Sequence, residues 1–404
     1  MTAQQCQPTR RGPLGALLCL SVLGALLLGS ATPQGVPAEA APRPDTRWIV
    51  RTTSNDSLAR AQTRAAASDH RIHHRFTRVF PGMTVTMDEA SAAKLRALPG
   101  VVSVTPDTRI HAAGTQNNPP IGLDRIDQAS PRPSRSFSAV HTGAGVTAYV
   151  LDSGLNLSHA DFTGRVTQGP NYEEPGTPPT DCAGHGTHVA ATLAGTRFGV
   201  AKQATIVPVK VLDCSGGGFT SNMIAALDWA VGDHRAGTPA VLNMSVGGAT
   251  NNEMTAAVKA AVADGITVVA AAGNAEQGMP TVDACTISPA STPEAITVAN
   301  ASVDNRQAAD SNHGRCVDLY APGVGIRSAW IGSNSATMVD SGTSMAAPHV
   351  AGAAALVLQA RPAWTPAQVS NQLLTQSQKN VVIKASSGTP NRMLQSVGSI
   401  TPAR

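Results

Sequence analysis

Ser344 stands in the segment Gly342-Thr343-Ser344-Met345-Ala346-Ala347-Pro348-His349-Val350-Ala351-Gly352, at the head of an apolar run of helical length. Small neighbours let a substrate backbone come close, and a helix N-terminus favours developing negative charge. A serine hydroxyl is a weak nucleophile and needs a base within hydrogen-bond reach. His185, in Gly184-His185-Gly186-Thr187-His188-Val189-Ala190, is the candidate base. It takes the serine proton and returns it to a leaving amine. Asp152, in Asp152-Ser153-Gly154, follows the apolar Tyr149-Val150-Leu151 and therefore ends a strand. There it can fix the imidazole tautomer and stabilise the imidazolium. The chemistry is acyl transfer. Among eleven histidines, His188 and His349 are the rivals for the base, and both read as packed helix residues.

Any one of these segments alone is weak, because a Gly-Thr-Ser at a helix start is more often a plain cap. The order Asp, His, Ser is that of subtilisin, and it differs from the orders in chymotrypsin and in the α/β-hydrolases. With Asn243-Met244-Ser245-Val246-Gly247-Gly248, Ala271-Ala272-Gly273-Asn274 and Ala321-Pro322-Gly323, the chain resembles the subtilisin-like serine proteases, within them the proteinase K and aqualysin branch. The intervals of 33 residues from Asp152 to His185 and 159 from His185 to Ser344 are similar to those of that family.

The resemblance implies several assignments. Asn274 supplies a side-chain amide that faces the tetrahedral oxyanion together with the Ser344 backbone N–H. Outside that context, an asparagine after glycine reads as a turn residue. Gly216, Gly217 and Gly218 on one side, and Ser245, Val246 and Gly247 on the other, pair with an extended peptide by strand addition. Ala271, Ala272 and Gly273 join Ser245 in walling the primary pocket, whose small uncharged walls imply large apolar residues before the scissile bond. Two departures are Val246, where leucine is usual, and Ala347, often threonine. No cofactor is implied for catalysis. A structural calcium ion is implied at Asp318 and the carbonyls of Pro293 and Ala295, oxygen ligands that suit a hard cation.

The bulk numbers agree with an exported enzyme. A chain of 404 residues has room for two to three domains, and 42% hydrophobic residues support a sizeable core. Aromatics are only 3%, so that core rests on Ala, Val, Leu and Ile. Charged residues are 14%, well under the average of about 25%. The formal charge of +4 is unevenly spread: the first 113 residues hold 13 Lys and Arg against 7 Asp and Glu, the remainder 17 against 19. No basic, aromatic-interleaved patch points to nucleic acid.

Residues 1–31 read as a secretory signal: Arg10 and Arg11, an apolar run from Leu14 to Gly29, then Gly29-Ser30-Ala31 at the cleavage site. An uncleaved anchor is the rival reading, but the run is short for a membrane span. Residues 32–44 form a Pro- and Ala-rich linker. Cys6 and Cys19 leave with the signal, and Cys182, Cys214, Cys285 and Cys316 remain. An even number in an exported chain favours disulfides, with three pairings open. Zinc is disfavoured because no Cys-x-x-Cys occurs. The resemblance selects Cys182–Cys214 and Cys285–Cys316. Each closes a loop of about 33 residues, which contributes about 3–4 kcal/mol in the chain-entropy model.

Residues 32–113 contain a small α+β unit. Strands are expected at Trp48 to Thr52, Arg75 to Val79, Met83 to Met87 and Val101 to Val104. Helices are expected at Ser57 to Ala67 and, capped by Asp88, from Glu89 to Leu98. This ferredoxin-like β-α-β-β-α-β order is similar to the inhibitor-type propeptide of subtilases. That implies an intramolecular chaperone whose tail, Thr108 to Ala113, lies in the cleft as a product. Cleavage is expected near Ala113-Gly114.

Residues 114–404 alternate short Val/Ile/Ala-rich runs with helical stretches, the pattern of a three-layer α/β fold around a mostly parallel sheet. The chain ends soon after the last motif, so no further binding domain is expected. The expectation is a secreted, monomeric, autoprocessed serine endopeptidase of broad specificity. It acts on proteins and peptides, is inhibited by its own propeptide, and engages no nucleic acid or, after signal removal, membrane. The alternatives are an inactive subtilase fold used for binding, a processing protease with one target, and an esterase. An esterase normally carries Gly-x-Ser-x-Gly, but Ala346 stands where the second glycine belongs.

Overall fold

The structure, a computed structural model, describes residues 46–68, 70–107, 114–276 and 278–396. The expected signal (1–31), the linker, the tail Thr108 to Ala113 and both Cys6 and Cys19 lie outside the described residues. The chain divides near residue 110 into two compact units.

The first unit runs β1 (Thr46–Thr52), α1 (Asn55–Ala66), β2 (Arg71–Phe76), β3 (Gly82–Met87), α2 (Glu89–Arg96) and β4 (Val101–Pro106). Its antiparallel sheet has the order β2-β3-β1-β4. Trp48, Val50, Met83, Val85 and Met87 alternate onto one face and pack against Leu58, Ala61, Ala65, Ala92 and Leu95 of the two helices. The Ser54 and Asp88 side chains cap the helices by accepting the Ser57 and Ser91 N–H at 3.2 and 2.6 Å. One strand differs from the expectation at Arg75 to Val79: β2 begins at Arg71 and ends at Phe76. The reason is its place at the sheet edge. An edge strand takes polar residues on both faces, so Arg71-Ile72-His73-His74-Arg75-Phe76 carries no apolar alternation to read.

The second unit begins with β5 (Gly114–Asn117), α3 (Ile121–Ile126), β6 (Ser136–Ala139), β7 (Thr147–Asp152), α4 (His185–Ala194), β8 (Thr205–Lys210) and α5 (Thr220–Asp233). It continues through β9 (Ala240–Met244), β10 (Gly248–Ala249), α6 (Asn252–Asp264), β11 (Thr267–Ala271), β12 (Ile287–Ser288), β13 (Ile296–Ala301) and β14 (Leu319–Pro322). It ends with β15 (Ile326–Ala329), β16 (Thr337–Asp340), α7 (Thr343–Ala360), α8 (Pro366–Gln376), β17 (Gln378–Lys379) and β18 (Arg392–Met393).

Eight strands form one sheet in the order β17-β18-β14-β13-β11-β9-β7-β8, parallel throughout except for β17. Side chains alternate across it. Ala148, Val150, Val241 and Val269 pack against α4 and α7, while Tyr149, Leu151, Leu242 and Val268 pack against α5 and α6. Burial on both faces is why these strands read as continuous apolar runs. The α7 helix lies in the thickest part of the core. Ala346, Ala347, Ala351, Ala353, Ala354 and Ala355 are all buried, so small side chains bring the sheet close. The disulfides are Cys182–Cys214 and Cys285–Cys316. The sequence had not marked β14, the β15–β16 hairpin or α8, which begins with a Thr365–Gln368 capping box. Among the described residues, no helix is long and apolar enough to cross a membrane.

Leu242 is fully buried in β9, whereas Val339 is 45% exposed. Guanidinium unfolding of Leu242→Ala is expected to show a loss of about 2–5 kcal/mol, against under about 1 kcal/mol for Val339→Ala.

Candidate active site

Asp152 is the last residue of β7, so its carboxylate leaves the C-terminal edge of the sheet, fully buried. His185 opens α4. Gly184 before it has φ +94°, and a Cβ there would meet the Trp330 ring at 2.4 Å. A Cβ on Gly186 would meet the Gly154 carbonyl oxygen at 2.3 Å. Only glycine fits on either side, which is the physical content of Gly-His-Gly. His185 Nδ1 donates to Asp152 Oδ1 at 2.7 Å, and the ring remains 27% exposed.

Ser344 lies in the first turn of α7, half-buried. Its Oγ donates to the Ser245 carbonyl at 3.1 Å, and Ser245 Oγ donates back to the Ser344 carbonyl at 2.8 Å. Pro348 explains the second bond. In an uninterrupted helix the N–H of residue 348 would take the Ser344 carbonyl, but proline has none. That carbonyl is free for Ser245, which locks the head of α7 to the loop after β9. Among the described residues, no hydrogen bond joins Ser344 to His185. Such bonds are often loose before substrate binds.

Asn274 follows β11 beside the same helix start. Its Oδ1 accepts the Thr343 N–H at 2.9 Å, and Gly273 N–H donates to Thr343 Oγ1 at 3.1 Å. The amide is thereby oriented. Its Nδ2 has no protein acceptor among the described residues, and a Cβ on Gly342 would lie 3.2 Å from it. The arrangement can offer a side-chain N–H next to the Ser344 backbone.

A cleft of about 600 Å³ opens beside His185. Gly216, Gly217 and Gly218 line one side, Ser245, Val246 and Gly247 the other, with Met223 and Met254 between. Gly218 is constrained, because a Cβ would meet the Val211 carbonyl oxygen at 2.3 Å. Ala271, Ala272 and Gly273 are not among the residues lining this cleft, and the side chains of the two alanines are buried in the core. Ser288 and Pro289, which no sequence motif marked, line it instead.

Burial of the His185 ring disfavours its charge. The Asp152 carboxylate, by field and hydrogen bond, outweighs this with help from Asp340 and Asp181, and raises the imidazole to about 9. Burial depresses His188 and His349 to about 4. Their rings donate to the Ile326 and Met345 carbonyls, so both are packing residues, as expected.

Sequence reasoning missed the residue that joins the two loops. Asp181 is 6% exposed, and its carboxylate accepts five bonds. Oδ1 takes Ser153 Oγ, Ala183 N and Gly184 N at 2.8, 3.0 and 2.8 Å; Oδ2 takes Thr187 N and Oγ1 at 2.8 and 2.6 Å. Ser153 Oγ in turn accepts the Gly186 N–H at 2.9 Å. Asp181 therefore fixes the turn of His185 relative to that of Asp152. The available signal was an aspartate three residues before a glycine at a helix start. Lys210, also missed, donates Nζ to the carbonyls of Ser153 and Leu212 at 2.7 and 2.8 Å.

Residues 143–398 match the subtilase family, and residues 36–113 match the peptidase inhibitor I9 family. The chain is 46% identical over 324 residues to an extracellular serine proteinase of Thermus sp. (strain Rt41A), covering 80% of this chain and 77% of the relative. It is 41% identical over 291 residues to alkaline serine exoprotease A of Vibrio alginolyticus, covering 72% and 53%. A cold-adapted subtilisin-like serine proteinase of solved structure superposes with a TM-score of 0.66 at 42% identity, covering 70% of this chain and all of the other.

Three outcomes follow from the electrostatics and the turn. A base must be neutral to accept a proton, so kcat/KM should rise with pH and level off above about 9. Asp152→Asn should move the His185 titration, followed by NMR, to lower pH and reduce kcat about 10⁴-fold. Asp181→Asn places an amide NH2 against N–H and O–H donors, and should lower kcat about 10- to 100-fold with little change in KM.

Proposed function

The chain belongs to the subtilase family, and on that premise we propose that it is a secreted serine endopeptidase that matures by cutting its own precursor near Ala113-Gly114. Ser344 attacks the scissile carbonyl while His185 takes its proton. Asp152 holds the imidazole in the required tautomer. Asn274 Nδ2 and the Ser344 N–H receive the oxyanion, and His185 then protonates the leaving amine. Water repeats the sequence on the acyl-enzyme.

The observation that carries this reading is the Asp152–His185 bond at 2.7 Å, set at the mouth of an open cleft. Among the described residues, the lining of the cleft contains no Asp, Glu, Lys or Arg, which supports apolar side chains before the scissile bond. Export is supported by the extracellular Thermus relative, the two disulfides and the signal-like sequence of residues 1–31. The match to inhibitor I9 supports residues 32–113 as a chaperone and inhibitor that leaves a mature domain from residue 114.

A structural calcium ion belongs to the same proposal. Among the described residues, no group of three or more His, Cys, Asp or Glu could hold a metal, so a cation would rely on Asp318 and main-chain oxygens. Asp318 Oδ2 accepts the Thr297 N–H at 2.8 Å, two residues beyond Ala295 and four beyond Pro293. Burial pushes the Asp318 carboxyl up to about 6, and a bound cation would keep it ionised.

On purified precursor, the wild type is expected to trim to Gly114 and digest casein, while Ser344→Ala does neither. An uncut, inactive wild type under oxidising conditions with calcium would remove the reading. Asn274→Ala should retain trimming but lower kcat about 10²–10³-fold. Calcium should raise the unfolding temperature of wild type and not of Asp318→Asn. An equal response of both would withdraw the ion from this site.

A further inference from the structure

His185 stands between two unlike surfaces. On one side is the cleft of glycines and small uncharged side chains. On the other is the β15–β16 hairpin, whose connecting Trp330 packs against Gly184. The hairpin pairs Ile326 with Asp340 and Ser328 with Met338. Residues directly opposite in an antiparallel pair share a face. The Ser328 face is the one against α4: Ser328 Oγ donates to the His188 carbonyl at 2.9 Å, and Thr192 Oγ1 donates to Ser328 Oγ at 3.0 Å. At the paired position of Asp340, the Ile326 carbonyl accepts His188 Nε2 at 2.9 Å. Strand alternation thus turns Asp340 towards the first turn of α4, the turn that begins with His185, and only four residues before Ser344.

The Asp340 carboxylate is partly exposed. Its Oδ1 accepts the Ser341 N–H at 2.7 Å, and it is in no ion pair among the described residues. The one cation on the hairpin strands, Arg327, pairs with Val339 and so lies on the opposite face, where it donates to Thr337 Oγ1. The negative field of Asp340 reaches His185 and is one of the charges that favour its imidazolium. During acylation His185 hands a proton to the departing amine, so the first residues after the scissile bond leave past His185.

We propose that Asp340 makes the leaving side of the site selective for basic residues, so that peptides with Lys or Arg one or two positions after the scissile bond are cut preferentially. The inference rests on the endopeptidase reading and adds a substrate class to it. A cation brought beside a partly exposed carboxylate is favoured by a few-fold, and salt screens the preference.

The test uses internally quenched peptides with one fixed apolar residue before the scissile bond and Lys, Ala or Asp at each of the two positions after it. Ratios of kcat/KM between peptides on one enzyme preparation cancel any loss of active fraction. Wild type is expected to prefer Lys over Asp by about five- to tenfold at one of these positions, with Ala between. The ratio should shrink towards one in Asp340→Asn, invert in Asp340→Lys, and flatten in 1 M salt. A wild type without charge preference, or a preference that Asp340→Asn leaves intact, would overturn the proposal while the endopeptidase reading stands. Failure to cut any peptide would sink that reading and this inference together.

Discussion

Two carboxylates held out of water, without a Lys or Arg in ion-pair range among the described residues, govern the architecture of the site. Asp152 and Asp181 are buried at the end of β7 and the head of α4. Burying such charges is unfavourable unless donors converge on them. For Asp181 those donors are the N–H and O–H groups of the α4 entry turn, together with Ser153 from the Asp152 turn. For Asp152 they are Ser153 N–H and His185 Nδ1. Asp152 Oδ2 is buried without a hydrogen-bond partner among the described residues, so the donors on Asp152 Oδ1 and on Asp181 are what tie the two turns together and put the imidazole at the cleft. The helix N-terminus adds its own favourable field.

Ser344, the proposed nucleophile, is positioned by the opposite device, a missing donor. Pro348 would be expected to kink or break a helix interior, yet here the vacated carbonyl belongs to Ser344 and is claimed by Ser245. Thr343 and Gly342 meet Asn274 at the same point. Four loops, those after β7, β9, β11 and β16, therefore reach one edge of the sheet. The small-residue core under α7 brings that helix close enough to the sheet for these contacts to form. Shape and polarity are set together, which is why alanine and glycine, and not aromatics, dominate this region.

Much of this was legible in the chain. Alternation of apolar runs marked the parallel strands, since strands buried on both faces must be apolar throughout. Glycines flanking His185 and a Pro-containing apolar run after Ser344 carried the chemistry, because backbone crowding and hydrogen-bond geometry leave few residue types there. Polar edges were harder. The strand β2, with Arg, His and Phe in irregular alternation, begins four residues before the start its pattern suggests, because an edge is not required to be apolar. The β15–β16 hairpin was unread for a similar reason: half its residues face solvent.

By itself, then, the sequence determined the buried parallel strands it marked and the helices between them, the residue types proposed for catalysis and the number of cysteines, since each is a matter of local pattern or composition. Tertiary structure decided what distance along the chain hides. Asp181 matters through Ser153, 28 residues away. Ser245 matters through Ser344, 99 residues away. Asp340 was an ordinary acidic residue until pairing with Ile326 gave it a face and a neighbour. Charge acts through space, and the sheet alone assigns that space.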